Sequence, residues 1–290
     1  MLDLFDEICV PTPLIQLNCQ LFSDKAVNVC LKADYLTHRL LSGNKWRKLK
    51  YNLLEAKEKG YTNILSFGGA YSNHVYALAG VAKLTDFNVT IAVRGDELKH
   101  DSNSTLQYAH ECGVNLRFVS RQEYKDKSEI AARFGDDFYL IPEGGTNELA
   151  LLGCSEVIDE ILTETSPDAI IAAMGTGGTI AGFVTNENFG GKIIGIPVIK
   201  GGLGLESTVK SLINLSVDNL TIIPDYHLGG YGKRPPILES FILDFENDFG
   251  ILLDEIYTSK LCYAVIDLIR NDYFQAGNQL VIYHSGGLRR

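Results

Sequence analysis

The chain has 290 residues, 46% hydrophobic and 21% charged, with a formal net charge of −10. This is ordinary globular composition, enough for one large core or two coupled ones. The acidic balance argues against nucleic acid or an anionic membrane as the main partner, but not against a small anion held in a locally basic pocket.

Val10-Pro11-Thr12-Pro13-Leu14 predicts an extended entry segment, because each proline pushes its predecessor out of the helical region. Val27–Ala33 reads as a strand, and Trp46–Lys59 as a helix ended by Gly60. Strands follow at Ile64–Phe67, Val89–Val93, Leu116–Val119 and Phe138–Ile141. Between them lie helices carrying Val75–Ala82, Ser104–Cys112 and Glu123–Phe134. The second half predicts strands at Ala169–Ala173, Ile193–Ile199, Leu220–Ile223 and Leu280–Tyr283, with helices at Leu149–Thr163, Thr208–Ile213 and Lys260–Asn271. Short, continuous apolar strands alternating with helices predict an α/β fold whose parallel sheet is covered on both faces. No linker tract appears, so any domain boundary is crossed by the chain more than once.

The six cysteines, Cys9, Cys19, Cys30, Cys112, Cys154 and Cys262, form no C-x-x-C pair and accompany no histidine cluster. That predicts reduced, buried thiols and no metal site. With no basic leader at Met1–Glu7 and no apolar run of bilayer length, a cytoplasmic protein is expected.

The basic cluster Lys45, Arg47 and Lys48 follows Ser42-Gly43-Asn44 at a helix start. Cations are disfavoured there by the helix dipole, and crowding of this kind lowers a lysine pKa and frees its amine for a Schiff base. A solvated basic helix start is the plainer account of that stretch alone. Three glycine turns follow apolar strands: Gly68-Gly69, Gly175–Gly178 and Gly286-Gly287. In parallel α/β sheets ligands bind at the carboxyl ends of strands, where glycine lets backbone amides approach them. Gly175-Thr176-Gly177-Gly178-Thr179 is a candidate phosphate cup; it lacks the Gly-Lys-Ser/Thr of a Walker loop and the third glycine of a dinucleotide fingerprint. Ser72-Asn73-His74 suits either a helix cap or a carboxylate cup. Tyr231, between glycines, suits a loop at an active site, and Tyr257 precedes a helix.

Taken in order, these motifs resemble the pyridoxal-phosphate (PLP) enzymes of the tryptophan-synthase-β class, fold type II. More closely they resemble the 1-aminocyclopropane-1-carboxylate (ACC) deaminase and D-cysteine desulfhydrase family. The resemblance runs from Pro11-Thr12-Pro13-Leu14 to His284-Ser285-Gly286-Gly287. It implies a large PLP-binding domain from residues 1–46 and 150–290, a smaller inserted α/β domain from 47–149, a small amino-acid substrate and a homodimer. It implies that Lys45 forms the Schiff base with PLP, that Lys48 and Gly175, Thr176, Gly177, Gly178 and Thr179 hold the phosphate, that Asn73 bonds the ring 3′-oxygen, and that Ser285 faces the pyridine nitrogen. Ser72, Asn73, His74 and Tyr71 are then expected at the substrate. Lys45, Ser72, Tyr231 and Tyr257 form the expected catalytic set, the tyrosines flanking the substrate or the ring. Tyr71 departs from the family's usual Gln and bears on carboxylate recognition. Thr258 and Ser285 stand where ACC deaminases carry Glu and Leu. A neutral hydroxyl at the ring nitrogen makes a weaker electron sink than a carboxylate. The resemblance therefore implies D-cysteine desulfhydrase-like β-elimination to pyruvate, ammonia and sulfide first, and ACC deaminase second. A PLP-binding module with little catalysis is a reading of another class, against which the intact Lys45, Ser72 and Tyr257 speak.

Overall fold

The computed structural model describes residues 2–213 and 218–288; residues 1, 214–217, 289 and 290 of the expected domains lie outside that description. In chain order the strands are β1 (Leu14–Leu17), β2 (Asn28–Lys32), β3 (Asn63–Gly68), β4 (Asn88–Arg94), β5 (Asn115–Val119), β6 (Phe138–Leu140), β7 (Ala169–Met174), β8 (Lys192–Pro197), β9 (Leu220–Ile222) and β10 (Gln279–Tyr283). They form two sheets, and the chain divides into two compact units.

The first unit comprises Met1–Ile8, His38–Leu41 and Lys45–Ala150. Its sheet runs β5-β4-β3-β6, every neighbour parallel, with Ile64 opposite both Val89 and Tyr139. The helices Asn44–Glu58 and Asn73–Leu84 bury Leu49, Leu53, Val75, Leu78 and Val81 in the core with Ile64, Val89 and Ile91. Gly80 stands 3.0 Å from the Leu40 Cβ, counted from where its own Cβ would be, so the segment His38–Leu41 packs on this helix at glycine distance. The helix expected over Glu123–Phe134 is broken. A 3-10 turn at Glu123–Lys125 and a short α-helix at Lys127–Ala132 meet at Asp126, whose carboxylate caps the second by accepting from the Glu129 N–H at 2.9 Å.

The second unit comprises Cys9–Thr37, Ser42–Asn44 and Leu151–Arg290. Its sheet runs β1-β2-β10-β7-β8-β9, parallel except that β1 pairs antiparallel with β2. The alternation of strand side chains separates two cores. Val29 and Leu31 of β2, Ala169 and Ile171 of β7, and Leu280 and Ile282 of β10 join one cluster. Their neighbours Cys30, Ile170, Ala172, Val281 and Tyr283 join the other. Apolar side chains on both faces are what a sheet covered on both sides requires, and each fully buried Val, Leu or Ile contributes roughly 1.5–3 kcal/mol. A helix that the sequence reading passed over spans Pro236–Phe249, begun by proline and ended by Gly250 at φ 66. Among the described residues no cysteine forms a disulfide; Cys30, Cys154 and Cys262 are buried, whereas Cys9 is exposed, which corrects the expectation for that position. Among the described residues no helix is long and apolar enough to cross a membrane.

Candidate active site

The predicted site residues fall into two sets, one in each unit. In the first unit, Lys45 opens the segment Lys45–Ala150 and stands on the first turn of the helix Asn44–Glu58. Arg47 and Lys48 on the same turn are 1% and 3% exposed, so the plainer account of a solvated basic start does not hold. Lys48 Nζ donates to Thr146 Oγ1 at 3.2 Å. Thr146 follows Gly145, which stands at φ +70; a Cβ there would meet Lys48 Cβ and the His74 ring at 3.4 Å.

His74 is buried. Ser66 Oγ donates to the Ile141 carbonyl at 2.8 Å, so its oxygen accepts from His74 Nε2–H, also at 2.8 Å. That fixes the tautomer and leaves Nδ1 as a buried acceptor with no donor among the described residues. Burial first, and then the charges of Lys45 and Lys48, push the His74 pKa down to about 3. The imidazole is therefore neutral. Ser72 precedes it as the cap of the helix Asn73–Leu84: its Oγ accepts from His74 N–H at 3.1 Å, so the capping reading holds for the oxygen while the hydroxyl proton remains a donor. The turn is tight because Gly68 lets Val75 in; a Cβ on Gly68 would lie 2.4 Å from Val75 Cγ2. Tyr71 is 60% exposed and Asn73 half-buried.

In the second unit the other two glycine turns and Asn44 come together. Asn44 N–H donates to the Ser285 carbonyl at 3.1 Å, and Asn44 Nδ2 donates to Thr179 Oγ1 at 3.0 Å. The residue before Lys45 is thus held by two loops, 135 and 241 positions further along the chain. Gly43, at φ +61, is packed so closely that a Cβ would lie 2.1 Å from the Ser285 oxygen. Gly43→Ala should cost at least about 3 kcal/mol, because the left-handed backbone and the clash with a main-chain carbonyl add up. The urea midpoint measures it, and a loss under about 1 kcal/mol would contradict this packing.

Gly175 and Gly177 carry the chain from β7 into the helix Gly178–Val184, Gly177 in the left-handed region at φ 82. Thr176 is exposed, whereas Thr179 is buried and bonded to Asn44. A Cβ on Gly175 would meet Tyr257 at 3.1 Å, so Tyr257 lies on this loop. Burial, then Tyr231 and Asp254, hold the Tyr257 phenol well above its usual pKa, so it stays protonated. Tyr231 and Tyr257 stand edge-to-face with ring centroids 6.1 Å apart. The Ser285 turn is braced by buried His284, whose Nε2–H donates to the Leu252 carbonyl at 2.9 Å while Nδ1 accepts from Gly286 N–H at 3.3 Å. Burial lowers the His284 pKa to about 4.

The donors present suit PLP. It offers an aldehyde to a primary amine, a phosphate to the amides and hydroxyls of a glycine–threonine loop that opens a helix, and a ring to the tyrosines and Ser285. Sequence reasoning missed Thr146, Ser66 and Asp254, none of which lies in a motif, and it gave His284 no role of its own.

Comparison with known proteins points the same way. A 31% identical protein of Pyrococcus horikoshii, named "Putative 1-aminocyclopropane-1-carboxylate deaminase", aligns over 90% of this chain and 85% of its own length. A 27% identical protein of Arabidopsis thaliana, "Bifunctional D-cysteine desulfhydrase/1-aminocyclopropane-1-carboxylate deaminase, mitochondrial", aligns over 96% of this chain and 77% of its own. The crystal structure of an ACC deaminase homologue superposes with a TM-score of 0.81 at 29% identity, covering 98% of this chain and 91% of that one. The family model described as "Pyridoxal-phosphate dependent enzyme" matches residues 6–286, and with its parallel-sheet architecture and its lysine and glycine-loop sets the chain belongs to that family of PLP-dependent enzymes.

Proposed function

We propose that this enzyme eliminates sulfide from D-cysteine, releasing ammonia and pyruvate, with ring-opening deamination of ACC to ammonia and a four-carbon 2-oxo acid as the second reading. Relatives named for both activities support the reading. The observation that carries it is the double anchoring of Asn44, which sets the backbone leading into Lys45 against Ser285 and Thr179. PLP, when bound, supplies the electron sink that makes the substrate's Cα proton removable.

The chain's own residues do the rest. Lys45 Nζ would hold the cofactor, and its amine is the base for the substrate's Cα proton. Lys48 and the loop Gly175–Thr179 bind phosphate; first-turn amides and threonine hydroxyls are donors, and Lys48 adds positive charge. Ser72 donates its hydroxyl proton to the substrate carboxylate, which can only accept, while its oxygen accepts from His74 N–H. Asn73 donates to the ring oxygen. Tyr231 and Tyr257 border the substrate, and the high pKa of Tyr257 keeps a proton available for a departing thiolate. Ser285, a neutral hydroxyl at the ring nitrogen, favours expulsion of a good leaving group such as sulfide over opening of a carbon ring. His74 acts from behind, as a neutral buried ring beside the two lysines. The homodimer implied by the resemblance and the cytoplasmic setting expected from the sequence belong to the same proposal.

The test is direct. Protein purified with PLP should release sulfide and pyruvate from D-cysteine, and a four-carbon 2-oxo acid from ACC at a lower kcat/KM. Silence with both substrates would reject the assignment.

A further inference from the structure

Lys260 is a fully buried lysine with no role in the reaction outlined above. It stands on the first turn of the helix Thr258–Arg270, three residues beyond Tyr257. Its Nζ donates to the carbonyl oxygens of His227 at 2.8 Å and Gly230 at 2.6 Å. A buried ammonium is costly unless it is hydrogen-bonded and compensated. Here burial draws its pKa down while the Asp254 carboxylate pulls it back up.

Both carbonyls belong to the loop that presents Tyr231. Leu228, Gly229, Gly230 and Gly232 lie in the left-handed region, at φ 48, 93, 106 and 67. A glycine-rich segment has little conformational preference of its own and needs an outside hold to keep one shape. The same two carbonyls also accept the turn bonds of the loop, from Gly230 N–H at 3.0 Å and Lys233 N–H at 3.1 Å. Each oxygen uses one lone pair for its turn and the other for Lys260. Asp254 does the corresponding work for Tyr257. Its Oδ1 accepts from the N–H groups of Ile256, Tyr257 and Thr258 at 3.3, 2.5 and 3.3 Å. A stretch of seven residues, 254–260, therefore holds the main chain on which both tyrosines sit, and their rings meet edge-to-face at 6.1 Å.

We propose that Lys260 is a positioning residue for the reaction: its ammonium pins the carbonyls of His227 and Gly230 and so fixes Tyr231 against Tyr257 at the substrate. The catalytic part of this rests on the proposed function, whereas the pinning of the loop does not.

The experiment compares Lys260→Met with the parent holoenzyme, alone and in a Tyr231→Phe background. It reads D-cysteine turnover, cofactor colour and amide hydrogen exchange over residues 228–233. Lys260→Met should keep the colour, speed exchange in the loop and lower kcat/KM by about 10- to 100-fold, the scale expected when a reacting group is misplaced by an ångström. In the Tyr231→Phe background the same change should alter kcat/KM by less than about twofold, because a residue acting through Tyr231 has nothing left to position. Equal losses in both backgrounds, or parent-like exchange and turnover, would overturn the proposal. Lys260→Gln, which keeps one donor group, should fall between parent and Met, and it stands in if the Met protein does not fold. In the parent itself the Gly230 and Lys233 amides should exchange slowly; rapid exchange there counts against pinning even with no variant in hand. If the parent fails to turn over any amino acid, the proposed function falls, and loop exchange alone still decides whether Lys260 is the clamp.

Discussion

Lys45→Ala protein will be colourless after dialysis against PLP and will turn over D-cysteine at least about a thousandfold more slowly than the parent, the order expected when a covalent anchor and a positioned base are removed together. Lys48→Ala should behave differently. Its side chain, 3% exposed and bonded to Thr146, is assigned to the phosphate and not to chemistry. That variant should need more PLP for half-saturation, yet recover colour and most of its kcat when PLP is in excess. Absorbance titration and kcat measured at saturating PLP separate the two. A Lys45→Ala protein that stays yellow and active would remove Lys45 from the centre of the mechanism. Equal behaviour of the two variants would mean that the basic turn acts only as a patch of positive charge.

The second large effect is on stability in mild acid. His74 and His284 have pKa values of about 3 and 4 in the folded protein, both lowered mainly by burial. In the unfolded chain each titrates near the ordinary value of about 6.5. Between these limits the unfolded state binds more protons, so stability is fully present above about pH 6.5 and is lost as pH falls through the window toward 4. Each imidazole contributes a slope of up to about 1.4 kcal/mol per pH unit. The hydrogen bonds around the two rings explain why the folded state resists protonation. His284 uses Nδ1 to accept from Gly286 N–H, and a proton there would break that bond. Among the described residues His74 Nδ1 has no hydrogen-bond partner, and the charges of Lys45 and Lys48 oppose a proton there. Urea midpoints at pH 7, 6 and 5 should fall steadily, well before the carboxylates begin to titrate. His74→Gln should remove about half of the slope. A flat profile from pH 7 to 5 would show that neither ring is held neutral.

Much of the fold could be read from residue order. Apolar runs such as Ile64–Phe67, Ala169–Ala173 and Leu280–Tyr283 are strands in the structure, and the helices after Gly43-Asn44 and after Gly177 begin where small residues and glycine end a strand turn. The helix Pro236–Phe249 was equally legible. Pro236 at its start, Leu238, Phe241 and Phe245 at helical spacing, and Gly250 beyond its end are ordinary signals that went unused. The break at Asp126 was harder to see, because an Asp inside an apolar period reads as a surface position until its carboxylate is found capping the next turn.

The site divides along the same line. Lys45, Lys48, Ser72–His74, Gly175–Thr179, Tyr231, Tyr257 and Ser285 stand out in the sequence because glycine, hydroxyl, aromatic and basic residues in turns and at helix starts have few structural uses in that combination. Their partners do not stand out. Ser66 and Thr146 look like ordinary loop or strand residues, and Lys260 looks like one polar position of an amphipathic helix until its ammonium is found buried on the Tyr231 loop.

The sequence by itself therefore determined the alternation of strand and helix, the glycine turns at strand ends and the family to which the motifs belong, because these depend on local backbone preference and on spacing along the chain. Tertiary structure decided which imidazoles stay neutral, that the Lys260 ammonium is buried against the His227 and Gly230 carbonyls, and that Asn44 is gripped by Thr179 and Ser285. Those outcomes depend on burial and on hydrogen-bond partners 8 to 241 residues apart, and desolvation has no local signature in the chain.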